Sequence, residues 1–366
     1  MNSLQTQVKP ANPDSIRQAA ALLREGQLVA FPTETVYGLG ANAFDAAAVL
    51  SIFAAKGRPA DNPLIVHIHS RSQLQAICSV PDGAEALMDA FWPGPLTLLM
   101  PRKPAVPEQV TAGLDTVAVR MPSHPVAREL LRVCQLPVAA PSANRSGKPS
   151  PTTAAHVAAD LDGRVPLILD GGSCEVGLES TVLDLCHGKP CILRPGGITR
   201  EMLLSVLPEV EVAGSVLRPL KSGETARSPG MRYRHYAPDG QVWLVTGGEQ
   251  ETLAALRLLT RQAEANGHRS CVMCFTGHLD ALRDCHPHDI GDRSRPEETA
   301  QRLFDTLRRL DAEGMDVIFS EVLPPEGIGL AVMNRLGRAA AFRTIRAGEI
   351  VGAGAESCEA ERRGDG

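Results

Sequence analysis

KGRPADNPLIVHI, residues 56–68, passes from a helix end through a turn into an apolar strand, and this pattern is typical of α/β proteins. The same alternation continues on both sides of the segment. Helices are expected at 14–24, 46–55, 73–78, 85–91, 126–133 and 153–159, and strands at 28–31, 64–68, 96–100, 116–121, 137–140, 167–170, 181–185 and 192–194. The pattern predicts an α/β domain over residues 1–212.

The length of 366 residues exceeds what one hydrophobic core usually supports, so two domains are expected. Residues 213–239 contain Pro, Gly and charges without a sustained apolar period, which predicts an interdomain linker. Alternation resumes over 240–350, with strands at 242–245, 270–275 and 317–321 and helices at 251–265 and 297–313. These elements predict a smaller three-layer, Rossmann-like α/β domain. The polar residues 351–366 are predicted to form a disordered tail.

Composition excludes several classes of protein. No apolar run approaches the roughly 20 residues of a membrane span, and the amino terminus lacks the features of a secretory signal. We therefore expect a cytoplasmic protein with no membrane partner. The cysteines are odd in number and scattered, which favours reduced thiols over a disulfide framework. The net charge of -5 argues against a cationic nucleic-acid surface but allows a local basic patch around an anionic ligand.

Three ligand motifs are matched only in part. GLGANA, residues 38–43, fits G-x-G-x-x-A, but residues 32–37 separate it from the preceding strand, unlike the arrangement in a dinucleotide fold. SGKP, residues 146–149, lacks both the earlier glycine and the final hydroxyl residue of a Walker loop. Cys271 and Cys274 suggest zinc, yet residues three apart in a buried strand point to opposite faces. No metal-ligand set of protein side chains is predicted.

Two polar segments suggest an anion site in the first domain. Lys56 and Arg58 suit phosphate oxygens and Asn62 adds a neutral donor and acceptor, although ordinary helix C-capping explains the cations equally well. APSANRSGKPSPT, residues 140–152, places hydroxyls and an amide before a helix. That array suits a nucleotide, but it also fits a capped turn rich in Pro and Ser.

A third cluster lies at strand ends and comprises Arg120, Ser180 and Arg194. Sheets of α/β proteins bind ligands outside the carboxyl ends of their strands. A single arginine in such a place is more often a solvated charge at the rim. Only the convergence of the three clusters therefore favours a ligand site.

The ordered motifs FPTETVYGLGANA, KGRPADNPLIVHI, FWPGPLTLL, VRMPSHP, APSANRSGKPSPT, ESTVLDL and LRPG resemble the threonylcarbamoyl-AMP synthase family, whose catalytic unit is the YrdC-like domain. SPGMRYRHYAP, residues 228–238, and the region after it resemble the long two-domain form. The resemblance implies a twisted, mixed α/β sheet around a concave, positively lined cavity that binds ATP and threonine side by side.

The resemblance also implies an L-threonylcarbamoyladenylate synthase, a nucleotidyltransferase that converts L-threonine, bicarbonate and ATP into threonylcarbamoyl-AMP and pyrophosphate, with Mg²⁺ as the expected metal. The product would pass to tRNA threonylcarbamoyl transferase machinery, which modifies tRNA next to the anticodon, so tRNA itself would be an indirect partner. Carried over motif by motif, the L-threonine site would comprise Thr35, His67, Arg120, Ala140 and Ser180. The ATP site would comprise Arg58, Asn62, Thr116, Ser142, Asn144, Ser150, Arg194 and Tyr236, and catalytic charge neutralisation would fall to Lys56, Arg58 and Arg194.

Two further hypotheses concern the linker and the function class. The linker could fold over the site as a lid, with Tyr236 reaching the nucleotide phosphates, or it could be a plain tether. The alternative function is a non-catalytic RNA-binding module. An aromatic fraction of 4% and the acidic charge balance offer little for base stacking, which disfavours that alternative.

Overall fold

The computed structural model describes residues 4–218 and 236–352, which form two α/β units, each built on its own sheet. Residues 219–235, most of the predicted linker, lie outside the described residues, as do 353–366 of the predicted tail. Residues 347–352 are helical, so positions 351 and 352 belong to a helix rather than to a disordered tail.

The first unit carries the strands β1 (Gln7–Pro10), β2 (Val29–Phe31), β3 (Gly38–Asn42), β4 (Ile65–His67), β5 (Leu96–Pro101), β6 (Thr116–Arg120), β7 (Val138–Ala139), β8 (Leu167–Asp170), β9 (Thr181–Asp184), β10 (Cys191–Arg194) and β11 (Glu211–Val212). Its α-helices are α1 (Pro13–Arg24), α2 (Ala46–Lys56), α3 (Leu74–Ile77), α4 (Ala84–Phe91), α5 (Glu108–Thr111), α6 (Pro125–Cys134), α7 (Ala154–Leu161) and α8 (Arg200–Leu204). Short 3-10 helices span Arg71–Gln73 and Gly214–Val216.

These strands form one mixed sheet in the order β1-β8-β2-β3-β7-β4-β6-β5-β9-β10-β11. Successive strand residues point to opposite faces, so Val29 and Phe31 pack with α1 and α6, whereas Ala30 packs with α2 on the other face. The predicted mixed α/β sheet is confirmed. Because β4, β6 and β10 end at His67, Arg120 and Arg194, three of the predicted site residues are strand-terminal.

The glycine motif at 38–43 contains a strand that the sequence analysis missed. β3 runs antiparallel to β2, with Gly40 opposite Val29. A Cβ atom at Gly40 would lie 2.8 Å from both the Phe31 ring and a methyl group of Val138. The glycine therefore serves close packing within the sheet, and the segment has no dinucleotide-binding turn.

The second unit has a parallel sheet with three-layer packing. Its strands are β12 (Gln241–Thr246), β13 (Ser270–Cys274), β14 (Pro287–Asp289), β15 (Val317–Ser320) and β16 (Thr344–Arg346), in the order β14-β13-β15-β12-β16. Its helices are α9 (Glu249–Ala265), α10 (Pro296–Ala312) and α11 (Gly327–Ala339), with 3-10 helices at Thr276–His278 and Arg283–Cys285. Helix α9 covers one face, and α10 and α11 cover the other. The predicted smaller three-layer α/β unit is confirmed.

Cys271 and Cys274 both lie in β13, a strand in which side chains alternate between the two faces of the sheet. Cys271 belongs to the hydrophobic cluster beneath α10 and α11, whereas Cys274 belongs to the cluster beneath α9. The two thiols therefore face opposite sides of the sheet. All cysteines within the described residues are free.

The two units meet through apolar and charged contacts. Val36 and Leu178 of the first unit join the hydrophobic cluster beneath α10 and α11. Two buried ion pairs cross the interface, Arg308 with Asp160 at 2.7 Å and Arg335 with Glu179 at 2.8 Å. None of the helices in the described ranges is both long and apolar enough to cross a membrane.

Candidate active site

One cavity gathers most of the predicted site residues. It measures about 660 Å³, including the solvent space at its mouth. Its walls include Thr35, Arg58, His67, Arg120, Ala140, Ser142, Asn144, Ser180, Arg194 and Tyr236. Strand ends supply several of these side chains, as expected for a ligand site in an α/β sheet.

Arg120 is held rigidly at one end of the cavity. Its Nη1 donates to Thr35 Oγ1 at 2.9 Å, its Nε donates to the Gly94 carbonyl at 3.2 Å, and its Nη2 lies 2.6 Å from Glu34 Oε1. Both charged side chains are only 3% exposed, so Arg120 is not a solvated rim charge. Burial raises the pKa of Glu34, but Arg120 and the Ser123 amide lower it below its ordinary value overall. The result is an ionised pair that fixes the guanidinium plane.

His67 is a neutral group beside this pair. Burial, followed by the positive charge of Arg120, lowers the pKa of His67 to about 3. Its Nδ1 lies 3.2 Å from the Ile65 carbonyl, and the Phe31 ring contacts it edge-on. The imidazole is therefore uncharged at neutral pH and suits positioning by hydrogen bonds.

Arg194 and Ser180 form a second fixed group in the wall. Arg194 donates from Nε to the Ser180 carbonyl at 3.0 Å and from Nη2 to Ser180 Oγ at 3.1 Å. Thr97 Oγ1 lies 2.7 Å from the same hydroxyl. Burial lowers the pKa of Arg194 to about 10, which leaves it protonated at neutral pH. The cavity therefore holds a second buried cation.

Arg58 and Asn62 contain unsatisfied polar atoms. Arg58 Nη2 donates to the Asn62 carbonyl at 2.8 Å, but Arg58 Nε and both polar side-chain atoms of Asn62 are buried without a hydrogen-bond partner. Buried polar groups are nearly always paired in folded proteins. Burial lowers the pKa of Arg58 to about 10, so it too stays cationic. Of these two residues, Arg58 lines the cavity and Asn62 does not.

Lys56 supports residues 140–152, which we call the serine-rich loop. Its Nζ donates to the carbonyls of Ser142 and Asn144, the latter at 2.6 Å. Ser142 Oγ in turn donates to Asn144 Oδ1 at 2.5 Å. Burial lowers the pKa of Lys56 well below its ordinary value. The Lys56 amino group supports the loop and is not part of the cavity wall.

Four predicted site residues do not line this cavity in the described part of the chain: Lys56, Asn62, Thr116 and Ser150. Thr116 is buried at the start of β6. Ser150 is buried and donates to Glu179 Oε1. These four side chains are buried outside the cavity wall.

The sequence analysis missed three polar side chains of the site. Thr33 and Glu179 line the cavity, and Glu34 pairs with Arg120. Each lies within a motif that was already identified, FPTETVYGLGANA or ESTVLDL. Basic residues in a motif suggest an anion site, whereas the acidic residues that pair with them do not. An acidic residue next to a predicted ligand residue was the available signal.

Comparisons with known proteins agree with this architecture. A family model described as Telomere recombination matches residues 21–196, and one described as Threonylcarbamoyl-AMP synthase, C-terminal domain, matches residues 198–341. The threonylcarbamoyl-AMP synthase of Pyrococcus abyssi is 49% identical over 90% of this chain and 95% of its own length. The chain belongs to the threonylcarbamoyl-AMP synthase family. It has the two-domain form of that family.

Two more relatives support the same assignment. The threonylcarbamoyl-AMP synthase of Bacillus subtilis is 48% identical over 92% of this chain and 95% of its own length. A crystal structure of Pyrococcus abyssi Sua5 complexed with L-threonine superposes with a TM-score of 0.86 at 46% identity, covering 93% of this chain and 98% of the other. The predicted family and fold are therefore confirmed. The cavity described above is the candidate active site of this member of the family.

Proposed function

We propose that this protein is an L-threonylcarbamoyladenylate synthase, a nucleotidyltransferase that forms threonylcarbamoyl-AMP and pyrophosphate from L-threonine, bicarbonate and ATP. The observation that carries the proposal is a single cavity lined by three arginines, of which Arg120 and Arg194 are buried and Arg58 is partly buried, beside a neutral histidine. Two anionic substrates and a developing phosphate charge require several fixed cations in one place. The names of the relatives support the same reaction.

L-Threonine is assigned to the end of the cavity that holds Arg120. The Arg120 fork suits the substrate carboxylate, and Thr35 and His67 offer neutral hydrogen-bonding groups near it. Ala140 and Ser180 complete this side of the wall. A relative bound to L-threonine supports the assignment of the substrate.

ATP is assigned to the remaining wall. Arg58 and Arg194 would contact the phosphates, and Ser142, Asn144 and Tyr236 would contribute hydrogen bonds. Asn62 has both of its polar side-chain atoms unsatisfied, which fits a nearby ligand partner. For Lys56, Asn62, Thr116 and Ser150, which do not line the cavity, direct contact with ATP stays a prediction.

The chemistry needs alignment and charge neutralisation more than a protein nucleophile. The threonine amine and bicarbonate form a carbamate with loss of water. A carbamate oxygen then attacks the α-phosphorus of ATP, a new P–O bond forms, and the bond to pyrophosphate breaks. Arg58 and Arg194 would neutralise charge on the phosphates, while Arg120 holds the threonine end in place. Lys56 would act through the loop that it supports.

Mg²⁺ is expected to arrive with the nucleotide. Within the described residues, no group of three or more His, Cys, Asp or Glu side chains is placed to hold a metal ion. The carboxylate of Glu179 is already bonded to Arg335 and Ser150. The described cavity wall would offer cations to the phosphates, and the ion would be bound through ATP.

The product would serve a later transfer reaction. Threonylcarbamoyl-AMP is a mixed anhydride, so its acyl group is activated for attack by an amine. The proposed acceptor is tRNA next to the anticodon, through a separate threonylcarbamoyl transferase.

Pyrophosphate release tests this function. Purified protein with ATP and Mg²⁺ is expected to release pyrophosphate only when L-threonine and bicarbonate are both present. Omitting each in turn, or replacing threonine with serine, serves as control. Release without threonine would contradict the assigned substrate. ATP binding with no release would contradict catalysis and favour the RNA-binding alternative.

A further inference from the structure

A buried arginine of the second unit reaches the wall of the candidate active site. Arg335 on α11 has a side chain that is 0% exposed. Its Nε donates to Glu179 Oε2 at 2.8 Å, and its Nη1 donates to the Pro195 carbonyl at 2.7 Å. Glu179 directly precedes Ser180, and Pro195 directly follows Arg194. One side chain from the second unit therefore holds two segments of the cavity wall.

The carboxylate of Glu179 connects this arginine to the serine-rich loop. One oxygen accepts from Arg335 and the other accepts from Ser150. Burial raises the pKa of Glu179, but Arg335, Arg194 and Ser150 lower it below its ordinary value overall. Removing Arg335 would leave a buried carboxylate without its hydrogen-bonded cation, and such groups rearrange or become protonated. Ser150 would then lose its fixed acceptor.

Arg335 also contacts Tyr236. The Arg335 guanidinium lies over the Tyr236 ring at 5.8 Å, and the Phe304 ring packs against the tyrosine at 5.2 Å. Tyr236 has a left-handed backbone with φ of 64°, which is uncommon for a residue other than glycine. Such conformations persist where surrounding contacts enforce them. Side chains of α10 and α11 therefore hold Tyr236 at the cavity.

We propose that Arg335 is a positioning residue through which the second unit sets the nucleotide end of the active site. The inference rests on the proposed function and deepens it by giving the second unit a part in ATP binding. Arg335 acts through Glu179, Ser150 and Tyr236. Arg120, at the threonine end, makes its contacts within the first unit. Of the residues assigned to threonine, only Ser180 adjoins the segment that Arg335 holds, so loss of Arg335 should weaken ATP binding more than threonine binding.

Steady-state kinetics of the full chain test this selectivity. Arg335→Met is expected to raise the KM for ATP about tenfold while changing the KM for threonine less than about twofold. Arg335→Lys keeps the charge and is expected to recover part of the loss. Equal rises in both KM values, or an unchanged KM for ATP, would overturn the proposal.

A control at the same interface lies on α10. Asp305 Oδ1 lies 3.3 Å from His156 Nε2 of the first unit, and neither residue lines the cavity. Asp305→Asn is expected to leave the KM for ATP within about twofold of wild type. A rise matching that of Arg335→Met would indicate general loosening of the interface and would overturn the proposal.

A double variant separates positioning from stability. Glu179→Gln combined with Arg335→Met removes both charges, and such exchanges often restore stability. We expect the thermal midpoint to recover while the KM for ATP stays raised. A return of this KM to the wild-type value would show that the arginine serves stability alone. If wild-type protein releases no threonine-dependent pyrophosphate, the proposed function fails instead, and calorimetric titration of wild type and Arg335→Met with ATP alone still tests the positioning.

Discussion

Individual side chains in this site owe their properties to burial and to one or two partners. Arg120 has a carboxylate, a hydroxyl and a carbonyl around it, so its guanidinium has little freedom to rotate. His67 beside it is uncharged because burial and a neighbouring cation both disfavour a second charge. At this scale the site is a set of preoriented groups.

Replacing Arg120 with Lys should weaken threonine binding selectively. Lysine keeps a charge to pair with Glu34 but cannot present a planar fork to a carboxylate. We expect the Kd for threonine to rise roughly 10- to 100-fold, the cost of one or two hydrogen bonds to a charged group. Calorimetric titration with threonine checks this. ATP titration of the same variant is the control, and a matching loss there would contradict the assignment of Arg120 to threonine.

The depressed pKa of His67 should appear in the pH dependence of stability. The unfolded state takes up a proton near pH 6.5, whereas the folded state takes it up near pH 3. His67 therefore lowers the free energy of unfolding as pH falls through this window, by at most about 1.4 kcal/mol per pH unit. His67→Gln should give a shallower decline in urea unfolding between pH 6.5 and 4. Identical slopes would show that the histidine is not held neutral.

At the scale of elements, glycines let strands approach the site closely. Gly196 follows β10, and a Cβ atom there would lie 2.5 Å from the Glu179 carbonyl oxygen and 2.6 Å from the Ser180 carbonyl carbon. Both are backbone atoms, which cannot move aside as a flexible side chain could. The contact between the end of β10 and the segment leading into β9 therefore depends on this glycine.

Gly196→Ala is expected to reduce the free energy of unfolding by about 1 to 3 kcal/mol because the backbone must shift. Activity should fall too, since Ser180 and Arg194 lie on the displaced segments. Urea unfolding and the pyrophosphate assay measure the two effects. Gly277→Ala is the control, because nothing lies within 4 Å of a Cβ atom there. Equal stability changes at both positions would contradict the close approach.

At the scale of the whole molecule, buried charges join the two units. Arg308 on α10 donates to Asp160 Oδ2 at 2.7 Å and to the Pro149 carbonyl at 2.6 Å. The side chains of the ion pair are 10% and 4% exposed. Breaking a buried pair from one side leaves an uncompensated charge, which costs far more than losing a surface pair.

Arg308→Met should therefore lower the free energy of unfolding by about 3 to 5 kcal/mol. The neighbouring Arg309 is half exposed and lies 3.9 Å from Glu313. Arg309→Met should therefore change the free energy of unfolding by less than about 1 kcal/mol. Urea unfolding of both variants makes the comparison. A loss of stability for Arg308→Met as small as that for Arg309→Met would show that the contact between the units adds little to stability.

The sequence by itself determined the family, the two α/β units and most of the cavity wall. Periodicity identifies buried strands because side chains alternate, and short motifs such as VRMP and LRPG carry Arg120 and Arg194 at strand ends. Strand β3 was missed because its glycines have low strand propensity and were compared with a nucleotide-binding loop.

Only the tertiary structure decided which polar groups hold the others in place. Lys56 supports the serine-rich loop because folding brings its Nζ to carbonyl groups that are far from it in sequence. Glu34 and Glu179 belong to the site through their arginine partners, and Arg335 arrives from the other unit. Local sequence encodes propensity and motif, whereas the partner of a buried charge depends on long-range packing. That is why the chain identifies the cations and marks their carboxylates only as neighbours of predicted ligand residues, whereas the pairing itself is seen only in the fold.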